Sequence, residues 1–128
     1  MINKTEFFNP TEFDSPDAPG SGYYLEPFLY DSLNVIREKC GFKFKVNSGI
    51  RTKAYNALPR IGGKPSSDHL IHADGFGHGV DIQILSGSKR YAIIQYALEI
   101  KIPRIGVGKT FVHLGNWKGN PQGVMWLY

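Results

Sequence analysis

Histidine and aspartate are the residue types in this chain whose spacing could support metal chemistry. His69, His72 and His78 fall within ten residues, and His113 lies in the strand-like segment 111–114. Two imidazoles and one carboxylate are a sufficient protein ligand set for a catalytic zinc ion, whose fourth position holds water. Such an ion lowers the pKa of that water to about 7 and polarises a carbonyl, as amide hydrolysis at neutral pH requires. Judged by composition alone, each histidine is more often an ordinary polar residue than a metal ligand.

Two of the candidate ligands lie in segments where apolar and polar residues alternate. Asp81 interrupts the apolar pattern of residues 80–84, and His113 interrupts that of residues 111–114. Because successive side chains of a strand point to opposite faces, both should project away from their apolar neighbours. We therefore predict that Asp81 and His113 meet on one open face of a sheet.

The elements that must position these residues alternate between helix and strand. Helical spacing predicts helices over 25–40, 53–58 and from a Ser88 cap to Ile100, and period-two alternation predicts strands over 42–47, 80–84, 105–107, 111–114 and 124–127. This order indicates an α+β fold with a small, largely antiparallel sheet and two to three helices.

Several apolar residues are predicted to build the core. The arm of residues 1–22 is polar and rich in Pro and Gly, yet it carries three phenylalanines and should pack over the core. The third helix should bury one face, formed by Tyr91, Ile94, Ala97 and Leu98. Trp126 is expected in the core, whereas Trp117, in a glycine-rich loop, is the better candidate for the wall of a substrate groove.

Composition narrows the class of protein. A chain of 128 residues fits one domain, 1–128, and a single cysteine, Cys40, excludes a disulfide framework or a cysteine-rich zinc module. The net charge of +4 suits an anionic partner, but no three Lys or Arg residues are consecutive, which argues against a nucleic-acid partner. No apolar stretch is long enough to span a membrane, and the start, MINKTEFFNP, has no signal-peptide core.

Six short motifs in one order resemble a known family. They are Ser48-Gly49-Ile50-Arg51-Thr52, Tyr55-Asn56, Gly62-Gly63, Ser67-x-His69, Gly77-x-Gly79-x-Asp81 and Phe111-Val112-His113. Together they resemble the zinc D-Ala-D-Ala carboxypeptidases, within the group that also holds lysostaphin-type peptidases and the hedgehog domain. The resemblance runs from about Phe8 to the closing Trp126-Leu127-Tyr128 and is strongest to small single-domain members from bacteriophages and bacteria.

The resemblance implies roles for particular residues. His69, Asp81 and His113 would bind Zn²⁺, and Arg51 would hold the substrate's carboxylate or polarise its carbonyl. Ser67, which would brace the metal-binding loop by hydrogen bonding, joins Trp117 as an expected substrate-binding residue.

The chain departs from the family pattern in two ways. His69 and Asp81 are twelve residues apart where the family has seven, so His72 stays open as an alternative ligand, although His69 keeps the Ser-x-His spacing. The positions where family members carry an acidic general base hold Thr110 and Gly115. Asp74 could substitute as the base, as could His72 or His78.

The resemblance implies a zinc-dependent peptidase that cleaves peptidoglycan stem peptides, as a D,D-carboxypeptidase or an endopeptidase. The alternative is a catalytically inactive zinc-binding recognition or structural module of the same fold. The enzyme is expected to be a monomer with no membrane partner. It would be made in the cytoplasm and act on the cell wall after release, as an endolysin does, or from within a virion.

Overall fold

The chain folds into three helices and one five-stranded sheet. A computed structural model describes all residues, 1–128. The elements are α1 (Pro27–Cys40), β1 (Val46–Ser48), α2 (Lys53–Asn56), β2 (Gly79–Gln83), α3 (Gly87–Glu99), β3 (Arg104–Val107), β4 (Phe111–Gly115) and β5 (Val124–Leu127). Short 3-10 turns at Pro10–Phe13 and Ser21–Tyr24 precede α1. The small α+β fold predicted from the sequence is therefore confirmed.

Capping residues set the ends of the two long helices. Glu26 caps α1 by accepting hydrogen bonds from the N–H groups of Phe28 and Leu29, and Gly41 ends the helix with φ of +74°. The cap of α3 was wrongly predicted, because the side chain of Ser86 rather than Ser88 accepts the hydrogen bond that starts this helix.

The sheet has the strand order β1-β2-β4-β3-β5. Its pairs are antiparallel except β3 with β5, which is parallel. β1 is shorter than the predicted strand over 42–47, because β2 ends at Gln83 and leaves residues 42–44 without a partner strand.

Strand alternation divides the sheet into a core face and an open face. The core face carries fully or almost fully buried aliphatic side chains, namely Val80, Ile82, Ile105, Val112 and Leu114. The open face carries one row of register partners that crosses all five strands, namely Ser48, Asp81, His113, Gly106 and Trp126. The sheet therefore brings Asp81 and His113 side by side, as predicted.

The core also includes the start of the chain, since Phe8 and Phe13 are buried among its members.

The predicted core face of α3 was wrong in part. Ile93 and Ala97 are buried there, whereas Tyr91 is 72% and Leu98 54% exposed. The helix is apolar on several sides, so helical spacing alone could not select the buried one. None of the helices has the length and apolarity needed to span a bilayer.

Candidate metal centre

His69 is held by the backbone of the segment before α2. Its Nδ1 donates a hydrogen bond to the carbonyl of Gly49 at 2.6 Å, and its own carbonyl accepts from the N–H of Arg51. The Ser67 hydroxyl accepts a hydrogen bond from the His69 N–H at 3.2 Å. These contacts turn His69 Nε2 toward Asp81, whose Oδ1 is 3.3 Å away.

His113 completes the group from β4. Its Nδ1 lies 2.8 Å from Asp81 Oδ1, across the pairing of β4 with β2. One potential ligand atom from each of His69, Asp81 and His113 lies within 4.8 Å of the other two, and all three side chains are buried. The structure thus places His69, and not His72, with the two strand residues.

The donor set fits zinc. Zinc in catalytic sites commonly takes three protein ligands of nitrogen and oxygen type and leaves a fourth position for water. His69 Nε2, the Asp81 carboxylate and His113 Nδ1 are the atoms that would hold it, because the other nitrogen of each ring is already engaged.

Asp68 is a residue that the sequence reasoning missed. Its Oδ2 accepts a hydrogen bond from His113 Nε2 at 2.8 Å, on the side of the ring opposite Asp81. Arg104 and Asn120 donate to the same carboxylate. A signal was available, because ligating histidines commonly donate their second N–H to a carboxylate and Asp68 stands inside the Ser-x-His motif.

The charges of the cluster shift three pKa values. Burial alone would raise the pKa of Asp81, but the charges and hydrogen bonds of His69 and His113 hold it well below its usual range. For Asp68, burial is likewise outweighed, chiefly by His113 and Arg104, and its pKa is lowered. Burial would lower the pKa of His113, yet hydrogen bonds to Asp68 and Asp81 raise it.

Arg51 lies at the edge of the cluster. Its Nε donates to Ser48 Oγ at 3.0 Å, its Nη1 donates to Asn56 Oδ1 at 3.4 Å, and its Nη2 is 3.5 Å from Asp81 Oδ2. Two of its nitrogens are therefore oriented by neutral partners and the third by the Asp81 carboxylate. The remaining N–H groups of Nη1 and Nη2 are left to meet an anionic or carbonyl group beside the metal ligands.

The segment between the two halves of the motif forms a closed hairpin. Residues 71 and 77 pair as a bridge, and Gly75, with φ of +86°, turns the chain between them. The additional residues between His69 and Asp81 thus form a hairpin loop whose two ends, residues 71 and 77, lie side by side.

The hairpin gathers the other predicted site residues into a second group. Asp74 Oδ2 lies 2.7 Å from His78 Nε2, and His72 stacks on Trp117 with ring centroids 4.0 Å apart. None of these four supplies a ligand atom to the metal cluster. The roles expected of Asp74 and Trp117 stay predictions.

Aromatic rings border the metal cluster on the side of β5. Trp126, predicted to lie in the core, is on the open face, with its ring centroid 5.6 Å from that of His113. It reaches that far because Gly106 has no side chain. A Cβ there would lie 2.9 Å from Trp126 and 2.7 Å from Tyr128. Tyr128 is 68% exposed and Trp126 is half-buried, with the guanidinium of Arg104 4.8 Å from its ring centroid, so the wall is accessible mainly at Tyr128.

Comparison with known proteins gives one match. The profile of the family described as Peptidase M15 matches residues 6–115, which include every residue of the cluster. No curated protein and no solved structure matches the chain significantly.

Proposed function

The chain belongs to the peptidase M15 family of zinc peptidases, and from that premise we propose that it hydrolyses the stem peptides of peptidoglycan. The observation that carries the proposal is the convergence of His69, Asp81 and His113 within 4.8 Å. The products distinguish the two reactions, because a D,D-carboxypeptidase releases a terminal residue whereas an endopeptidase cuts within the stem peptide.

The chain's own residues would divide the work. His69, Asp81 and His113 hold the ion, which, when bound, supplies an activated water and a polarised carbonyl. Arg51 would bind an anionic group of the peptide, because its N–H groups that have no partner in the chain can give charge-assisted hydrogen bonds to a carboxylate. The rings of Trp126 and Tyr128 would border the peptide on the other side of the ligands.

For the proton acceptor we propose Asp74. Its side chain is 41% exposed, whereas that of Asp68 is 2% exposed and saturated by donors. The imidazole of His78 beside Asp74 could take up the proton in turn. Asp74→Ala should lower kcat by about 10²–10⁴-fold while metal content is unchanged, and unchanged turnover would remove Asp74 from the mechanism.

A second candidate function is zinc-dependent recognition without cleavage. Thr110 and Gly115, at the positions where acids were expected, favour it. For either function we propose that the protein acts at the cell wall, reached after release or from within a virion. The two functions differ in whether products form.

The test is zinc quantification followed by mass spectrometry of muropeptides after incubation with purified peptidoglycan, with and without chelator. We expect one zinc ion per chain and chelator-sensitive release of shortened stem peptides. His113→Ala should abolish both, and His72→Ala, a histidine outside the cluster, should retain the metal. Zinc-loaded protein that binds peptidoglycan without cleaving it would support the recognition module instead.

A further inference from the structure

The buried carboxylate of Asp68 is surrounded by donors from three parts of the chain. His113 Nε2 lies 2.8 Å from its Oδ2, Arg104 Nε lies 2.9 Å from Oδ2, and Asn120 Nδ2 lies 3.0 Å from Oδ1. Arg104 is itself fixed, since its Nη1 donates to the carbonyl of Pro121 at 2.8 Å. Asp68 is therefore held in one orientation, with one oxygen directed at His113.

Two glycines make room for this arrangement. A Cβ at Gly115 would lie 2.6 Å from Asp68 Oδ2 and 2.9 Å from His113 Nε2. A Cβ at Gly79 would lie 2.8 Å from Asp68 Cβ and 3.0 Å from His113 Cε1. Such distances are too short for any side chain, so the contact between Asp68 and His113 depends on glycine at both positions.

We propose that Asp68 is a positioning residue for the metal centre and acts through His113. By holding the proton on Nε2, it leaves Nδ1 as the nitrogen that faces Asp81 and binds the ion. It also fixes the plane of the ring and increases the basicity of the ligating nitrogen, as carboxylates behind ligating histidines do. The inference rests on the proposed zinc site but not on any particular substrate.

The competing explanation is that Asp68 only forms an ion pair with Arg104. Both roles use the same carboxylate, but they predict different measurements. An ion pair affects the stability of the metal-free fold, whereas positioning of His113 affects how tightly, and in what geometry, the metal is bound. The readout must therefore be the metal itself.

The experiment measures Zn²⁺ affinity by chelator competition and the visible spectrum of the Co²⁺-substituted protein. The variants are Asp68→Ala and Asp68→Asn, each compared with wild type. We expect Asp68→Ala to lose about 10–100-fold in Zn²⁺ affinity and to shift the Co²⁺ bands. Asp68→Asn keeps an oxygen acceptor of the same shape, so it should recover part of the loss.

The matched control is Asn120→Ala, which removes one donor from Asp68 Oδ1 and leaves the contact with His113 intact. Arg104 Nε still lies 3.1 Å from Oδ1 and 2.9 Å from Oδ2, so the carboxylate keeps its orientation. This variant should retain wild-type affinity and spectrum. Thermal unfolding of each metal-free variant checks folding, and the isosteric Asp68→Asn supplies the measurement if the alanine variant does not fold.

Wild-type affinity and spectrum in a folded Asp68 variant would overturn the proposal. A wild-type protein that binds no zinc would overturn the metal site as well. A wild-type protein that binds zinc tightly but cleaves nothing would refute the peptidase while leaving the role of Asp68 measurable.

Discussion

Acidification should weaken metal binding, because His113 must lose a proton for its Nδ1 to bind the ion. Nδ1 lies 2.8 Å from an oxygen of Asp81 and Nε2 lies 2.8 Å from an oxygen of Asp68. Both neighbours are carboxylates, so in the metal-free protein both ring nitrogens donate, and the pKa of His113 is raised above its ordinary value of 6.5. Zn²⁺ would replace the proton on Nδ1 and release it.

The magnitude follows from one released proton. For this proton alone, the apparent affinity should fall about tenfold per pH unit at every pH below the pKa of His113, which is about 1.4 kcal/mol. A proton lost from the second imidazole ligand, His69, would add to this slope. Since the pKa of His113 is raised, the range from pH 6.5 to 5.5 lies within the sloping part of the curve.

Isothermal titration with Zn²⁺ at pH 6, in two buffers of different ionisation enthalpy, counts the released protons. Chelator competition at pH 5.5 and 6.5 gives the change in affinity. The His72→Ala variant, which lies outside the cluster, should show the same slope. Binding that is independent of pH in this range, with no proton released, would refute the proposed protonation of the cluster.

Three further predictions concern the neighbourhood of the cluster. The metal-free protein should become less stable as pH rises through the pKa of His113. A histidine whose pKa is raised by folding stabilises the folded state below that pKa, and this contribution is lost above it. Urea unfolding at pH 5.5 and 8, with chelator present, measures the change in the free energy of unfolding. Gly115→Ala should destabilise the metal-free protein by about 1–3 kcal/mol, because its Cβ would lie 2.6 Å from a buried oxygen of Asp68. Urea unfolding measures this as well, and a stability equal to that of wild type would contradict the close fit. Trp126→Ala should raise KM for stem peptides severalfold at unchanged zinc content, whereas Leu127→Ala, on the opposite face of β5, should not; equal effects would argue against an aromatic wall.

The ligand pair on the strands could be predicted because strand alternation is strict. Asp81 and His113 each stand between buried aliphatic residues, so burial of those neighbours leaves only the open face for the polar side chains. The same rule could not assign Trp126, because an aromatic residue in an alternating strand suits either face. Only its register partner, Gly106, shows that the ring has space on the open face.

The support behind His113 could not be predicted from local pattern. Asp68 and His113 are 45 residues apart, and Asp68 and Arg104 are 36 apart. Contacts at such separations depend on strand order and on how a loop crosses the sheet. The glycine at 115, interpreted in the sequence as the loss of an acid, instead provides the space in which the carboxylate of Asp68 lies.

The row of partners across the five strands also bears on when during folding the ion can bind. A slip of one residue between β2 and β4 would turn His113 into the aliphatic interior and expose Val112 and Leu114 to water. Hydrophobic burial alone is therefore enough to select the correct pairing. We therefore expect the newly made chain to reach its final topology before it binds zinc, so that the ion binds to a site that has already formed.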